Sequence, residues 1–164
     1  MFGPGARRRN CPDEQGGVQT ACSAAAMPVI SMPLLQGRII MFSHIMVGTN
    51  DLARSKTFYD AVMATLGHGP AVMDGHRMFY MTPTGIFAVS QPIDGKPATF
   101  ANGGTIGFAV DSPEQGDAWH AAGVANGGTT CEDPPGTREG GMGKMYLAYL
   151  RDPDGNKLCA LKRL

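Results

Sequence analysis

Charge of one sign is what this 164-residue chain lacks, since 14 Lys and Arg are balanced by 14 Asp and Glu. The balance is uneven along the chain. Residues 1–40 carry Arg7, Arg8, Arg9 and Arg38 against Asp13 and Glu14, which leaves 10 basic and 12 acidic groups from Met41 onward. So mild an acidic excess gives no footprint for nucleic acid or anionic lipid, and a small, uncharged or modestly polar ligand is the expectation. Cysteine is scarce as well: Cys11, Cys22, Cys131 and Cys159 form no CxxC and no Cys/His cluster at zinc-site spacing. Nothing suggests a disulfide scaffold, and a reducing cytoplasm is the expected location. No apolar run reaches the ~20 residues that a membrane-spanning helix needs. What is present is 43% apolar and 17% charged residues in one domain's length, the composition of a globular chain.

The first forty residues differ from the rest. Gly3, Pro4, Gly5, Pro12, Gly16, Gly17, Pro28 and Pro33 break every helical or strand period there. Arg7–Arg9 ahead of the mildly apolar stretch Thr20–Leu35 admits a targeting peptide. Against that reading, Pro28 and Pro33 interrupt the stretch and no small-residue cleavage site follows it. Residues 1–40 are therefore treated as a disordered N-terminal extension, and residues 41–164 as the folded domain.

From Phe42 the chain becomes regular. Phe42–Thr49 reads as a buried strand, and Asn50-Asp51 as a helix cap. Leu52, Phe58, Tyr59, Val62 and Leu66 then lie on one helical stripe that Gly67 closes. Two hairpin strands follow, about His76–Met81 and Ile86–Gln91, joined by Thr82-Pro83-Thr84-Gly85. After Pro92–Gly103 the plan restarts: strand Thr105–Val110, cap Ser112, Pro113 at the first helical position, and a helix through Trp119 to about Asn126. A last hairpin pairs Lys144–Arg151 with Asn156–Lys162 across Asp152-Pro153-Asp154-Gly155. A shift of 61 places His44 on Thr105 and Phe58 on Trp119. The fold expected is α+β: two βαβββ modules, about residues 42–91 and 104–162, with a weak third strand near Ala71–Met73 and Gly128–Cys131. The Gly- and Pro-rich segment Pro134–Gly143 is long for a hairpin connection and reads as a loop that could gate a ligand site.

Ser43-His44-Ile45-Met46-Val47, then Asn50-Asp51-Leu52-Ala53-Arg54-Ser55 and Phe58-Tyr59, resembles the opening of vicinal-oxygen-chelate proteins, the glyoxalase/bleomycin-resistance/dioxygenase group. Tyr149-Leu150-Arg151-Asp152-Pro153-Asp154-Gly155-Asn156-Lys157-Leu158 resembles their closing hairpin. Pro92–Ala98 with Asn102-Gly103 resembles the bridge between modules in glyoxalase-like bacterial members. The resemblance implies a curved mixed sheet round a ligand cup, usually within a homodimer. It implies less about activity, because the fold hosts lyases, isomerases, dioxygenases and non-catalytic drug binders.

Enzymes of the group generally hold a divalent ion (Zn, Ni, Mn or Fe) on donors from the first and last strand of each module, where it acts as a Lewis acid. The resemblance places His44 at the first-module ligand position, as metal donor or general base. It places Thr105 at the second-module equivalent and Cys159 where a Glu usually stands. The fourth position falls in Val89–Gln91, where only Gln91 coordinates at all. One strong donor in four positions makes a poor site. Hydrogen bonding at the cup and an ordinary buried thiol are the plainer readings of His44 and Cys159. Arg77 and Arg138 are further candidates, as guanidinium partners for a ligand anion, with solvation the plain alternative for each. Tyr146 and Tyr149, three apart in a strand, face opposite sides, so at most one lines the cup. Two function classes remain. One is a glyoxalase-like, lactoylglutathione-lyase-related protein acting on a small oxygenated or thiol-linked metabolite. The other is a non-catalytic binder of the bleomycin-resistance type.

Overall fold

The computed structural model describes residues 41–164, so the extension expected over residues 1–40 lies outside the described residues. In chain order the elements are β1 (His44–Gly48), α1 (Leu52–Thr65), β2 (Val72–Asp74), β3 (Arg77–Thr82), β4 (Gly85–Ser90) and β5 (Ile106–Ala109). There follow α2 (Pro113–Ala125), β6 (Thr129–Thr130), β7 (Gly136–Gly140), β8 (Gly143–Arg151) and β9 (Lys157–Arg163).

Both helices begin at the side chains that the sequence marks. The Asp51 carboxylate accepts from the Arg54 N–H and the Ser112 hydroxyl from the Gln115 N–H, each satisfying a donor that the first helical turn leaves unpaired. The caps stand 61 residues apart, as the internal repeat requires. At the other ends the repeat slips by one, because α2 has 13 residues and α1 has 14. The left-handed residues that stop the helices are thus Gly67 and Gly127, at φ +78° and +97°.

Each module builds its own mixed sheet. In the first the order is β1-β4-β3-β2, with β1 parallel to β4. The second runs β5-β9-β8-β6, with β5 parallel to β9 and β7 also paired to β8. The segment read as a long gating loop, Pro134–Gly143, is corrected here: Gly136–Gly140 is a strand hydrogen-bonded to Gly143–Leu147. Its glycines and prolines signal a loop, but an edge strand needs only one row of backbone partners, and both prolines stop short of it. The weak third strand of this module is therefore split into β6 and β7. Between them Glu132 takes φ +60°, the one non-glycine in the left-handed region among the described residues.

Alternation along the strands sorts the side chains onto two faces. Met78, Tyr80, Phe87 and Val89 of the first sheet, and Tyr146, Ala148, Leu150 and Leu158 of the second, enter one core with Phe58, Tyr59, Val62 and Trp119 of the helices. Missing side chains make that packing possible. A Cβ on Gly123 would stand 2.5 Å from a Leu150 methyl, and one on Gly128 would stand 2.9 and 3.0 Å from the carbonyls of Gly123 and Arg151. The remaining face of each sheet, here called the outer face, carries no helix.

The turn between β8 and β9 fastens the modules together. The Asp154 carboxylate accepts from Thr49 Oγ1 at 2.7 Å, from the Asn50 backbone N–H and Nδ2 at 3.0 Å each, from Arg54 at 2.9 Å and from Ser55 at 3.2 Å. Two residues earlier, Asp152 accepts from the buried Tyr59 hydroxyl at 2.6 Å, while Asn156 donates to the Gly48 carbonyl at 3.2 Å. The closing motif is thus bonded throughout to the β1–α1 junction, and its carboxylates are committed to structure.

Candidate functional site

The outer face of the first sheet is laid out in rows by the register. His44 and Ile86 share one row with Met81; Met46, Ala88 and Phe79 the next; Gly48, Ser90 and Arg77 the third. Much of this face is apolar and open, with Met46 43% and Met81 64% exposed. His44 is exposed, and its Nδ1 lies 2.9 Å from the Ser43 hydroxyl. It also lines a cleft of about 290 Å³ that runs from Phe42 and Ile45 past Tyr80 to Ile106 and Gly107. Buried Tyr80 donates to Asp60, and both burial and that carboxylate push its hydroxyl well above the usual phenol range.

The second sheet's outer face carries a different set. Cys159 is 4% exposed, sits opposite Tyr149 on β8 and Gly107 on β5, and clusters with Met145 and Leu147. Burial pushes its thiol up, against the opposing influence of Tyr149, Arg138 and Lys157, so the thiol stays protonated at neutral pH. Tyr149 lies on this face while Tyr146 points to the helices and donates to Asp117 at 2.6 Å, the opposition that a spacing of three in a strand demands. The Arg138 guanidinium stands 5.3 Å from the Tyr149 ring centroid and donates to the carbonyls of Asp133 and Pro134. Lys157 lies 4.9 Å from the same centroid and is ion-paired with Glu132. This arrangement of Tyr149, Lys157 and Glu132 was not legible in sequence, because it depends on cross-strand register and on the kink at Glu132.

The register also decides the family-type metal positions. With the first strands shifted by 61, Ile45 opposite Phe87 corresponds to Ile106 opposite Leu158. Cys159 then corresponds to Ala88, a residue with no donor. Gln91, offered above for this position, lies beyond the end of β4. It lines a separate polar pocket of about 360 Å³ with Asn50 and Lys96, and that pocket does not include His44. Thr105 is exposed and precedes β5. The cleft at His44 reaches Gly107 but stops short of Cys159 across the strand. Among the described residues no three His, Cys, Asp or Glu side chains gather as metal ligands. One imidazole and one thiol, with a threonine and an alanine at the other two positions, are too few donors to hold a divalent ion.

Arg77 takes the place that alternation assigns it, on the outer face opposite Ser90, while His76 precedes the strand. Arg151 stands at the end of β8 beside the Asp152–Gly155 turn. It donates to the Gly155 carbonyl at 2.7 Å and lies over the Phe100 ring.

Comparison with known proteins agrees with this architecture. The family model described as Glyoxalase/Bleomycin resistance protein/Dioxygenase superfamily matches residues 41–160. A crystal structure of a glyoxalase/bleomycin resistance protein from Albidiferax ferrireducens T118 is 66% identical, covering 75% of this chain and 99% of that one at a TM-score of 0.74. A glyoxalase-related enzyme from Fulvimarina pelagi is 20% identical over 73% of this chain and 85% of its own, at a TM-score of 0.57, a likeness of fold alone. No curated protein matches the chain. With the two βαβββ modules and the match over the whole described domain, the chain belongs to the glyoxalase/bleomycin resistance protein/dioxygenase superfamily.

Proposed function

We propose that this protein binds a small oxygenated or apolar metabolite against its outer sheet faces, without the Lewis-acid centre of metal-dependent relatives. The observation that carries the reading is the donor set. Register puts Ala88 and Cys159 at the paired last-strand positions, and among the described residues no three His, Cys, Asp or Glu side chains gather round His44. The apolar side chains on the first outer face suit a ligand with a largely hydrocarbon body.

A homodimer that closes the cup belongs to the same proposal. β1 pairs only with β4, and β5 only with β9, among the described residues, so each sheet keeps a free edge beside its apolar outer face. Free edges flanked by exposed Ile45 and Met46 favour a second copy. The likeness to lactoylglutathione-lyase-related proteins supports a second reading, a cytoplasmic lyase or isomerase in which His44 is the base. One arrangement favours it: His44 is exposed at the mouth of a cleft large enough for a small substrate.

Metal analysis after incubation with nickel, zinc, manganese or ferrous iron separates the two, run beside His44→Ala. The binding reading expects no retained ion in either protein. One equivalent per chain that vanishes in the variant would move metal-dependent lyase chemistry to the front.

A further inference from the structure

We infer that Arg77 is the anion anchor of the first module's outer face, and that the ligand it selects is a monocarboxylate with an elongated apolar body. This rests on the small-molecule reading above and adds the ligand's chemical class.

Arg77 is half-buried, and its Nε is fully covered yet meets no acceptor among the described residues. A buried guanidinium N–H without a partner costs free energy that an ordinary surface arginine avoids. Internal partners are at hand and unused. Asp74 is directly across on β2, but none of the ion pairs among the described residues includes Arg77. On the other side the Ser90 hydroxyl donates to the Gln91 carbonyl at 2.8 Å. Among the described residues the cation on the outer face is therefore in no ion pair, the condition in which a planar guanidinium takes a carboxylate by two parallel hydrogen bonds.

The surroundings set the rest of the ligand. Beyond Gly48, in the same row, the linker closes the face: the Ala98 methyl stands 3.0 Å from where a Cβ on Gly48 would be. Along the strands from Arg77 the same face continues over Phe79 and Met46 toward Ile86 and His44, an apolar path for the body of a ligand held there. From Ser90 to Ile86 is four residues of β4, ~13 Å at ~3.3 Å per residue, which suits a body of several carbons. No second cation shares the row of Gly48, Ser90, Arg77 and Asp74. A single guanidinium beside an acidic side chain fits a monoanion better than a phosphate dianion.

The test is an NMR titration of the full chain with 4-phenylbutyrate, its neutral amide 4-phenylbutanamide, and phenyl phosphate. It is repeated on Arg77→Met and Arg77→Lys, with thermal unfolding as the check on folding. The expected result is that the acid binds the wild type at least tenfold more tightly than the amide, shifting amides around Phe79 and Ser90. Arg77→Met loses that preference with amide binding unchanged, and Arg77→Lys keeps part of it. Equal affinity for acid and amide in the wild type, or an undiminished preference in Arg77→Met, overturns the anchor while leaving a small-molecule site. Tighter binding of phenyl phosphate overturns the carboxylate class. If neither acid nor amide perturbs the outer face, the small-molecule reading fails along with the anchor.

Discussion

Thr49 and Asp154 are 105 residues apart in sequence, and the Thr49 hydroxyl donates to the Asp154 carboxylate at 2.7 Å. Thr49 is 1% exposed, and the carboxylate it meets also collects Asn50, Arg54 and Ser55. This one side chain gathers most of the hydrogen bonds that join the start of the first helix to the last hairpin, beside those of Asp152 with Tyr59 and of Asn156 with Gly48.

Asp154→Ala strips the acceptor from the buried Thr49 and Ser55 hydroxyls and from the exposed Asn50 and Arg54 at once. The expected loss is about 2–3 kcal/mol of unfolding free energy, read from the denaturant midpoint. Asp154→Asn keeps part of the network and is expected to lose less.

Acid should weaken the same joint. Burial alone would push the Asp154 carboxyl up, but the hydrogen bonds from Thr49 and Asn50 and the charge of Arg54 outweigh it and hold the group below the usual carboxylate range. Asp60 is lowered as well, with burial opposed by Lys56, the Ala71 N–H and Tyr80. A depressed pKa stabilises the folded state above the unfolded-chain value of ~3.9, and that stability disappears as pH falls through the lower folded value. Unfolding free energy should therefore begin to decline below about pH 6.5, the unfolded imidazole value, because burial holds the His120 imidazole below its usual range, and should drop again below about pH 4 as these carboxylates protonate. The drop should be smaller in Asp154→Asn.

Gly128→Ala is expected to destabilise by about 1–3 kcal/mol, because the new methyl would press on two carbonyl oxygens that belong to the helix end and to β8. Gly141→Ala is the control, with nothing within 4 Å of its Cβ position, and its melting temperature should stay close to that of the wild type.

Cys159 should resist thiol reagents in the folded protein. With its thiol pushed up by burial, the thiolate fraction at pH 7 is small and access is poor. Peptide mapping after brief iodoacetamide treatment is expected to find Cys131, which is partly exposed, modified ahead of Cys159. Rapid labelling of Cys159 would mean that the second sheet's outer face is open and electropositive enough to ionise it.

Local signals carried much of the fold. Asp51, Ser112 and Pro113 mark helix starts through chemistry confined to one turn, so they are readable without knowing what the helix packs against. Alternation set Tyr146 and Tyr149 on opposite faces for a similar reason, since the pleat depends only on parity along the strand. Gly136–Gly140 was misread because its composition is that of a loop, while its strand character comes entirely from β8. The resemblance bounded the fourth ligand position only to Val89–Gln91, because the register that sets Ala88 opposite Met46 and level with Cys159 is a relation between two strands.

The sequence by itself determined the repeated βαβββ plan, the helix ends and the shortage of metal donors, because each depends on residue identity and near-neighbour spacing. Only the tertiary structure decided that the Asp152–Asn156 turn is a structural clasp, that Tyr149 stands between Arg138 and Lys157, and that the Arg77 Nε meets no acceptor among the described residues. Those are contacts between segments far apart in the chain. Their existence depends on how two sheets and two helices share one core, which no local pattern encodes.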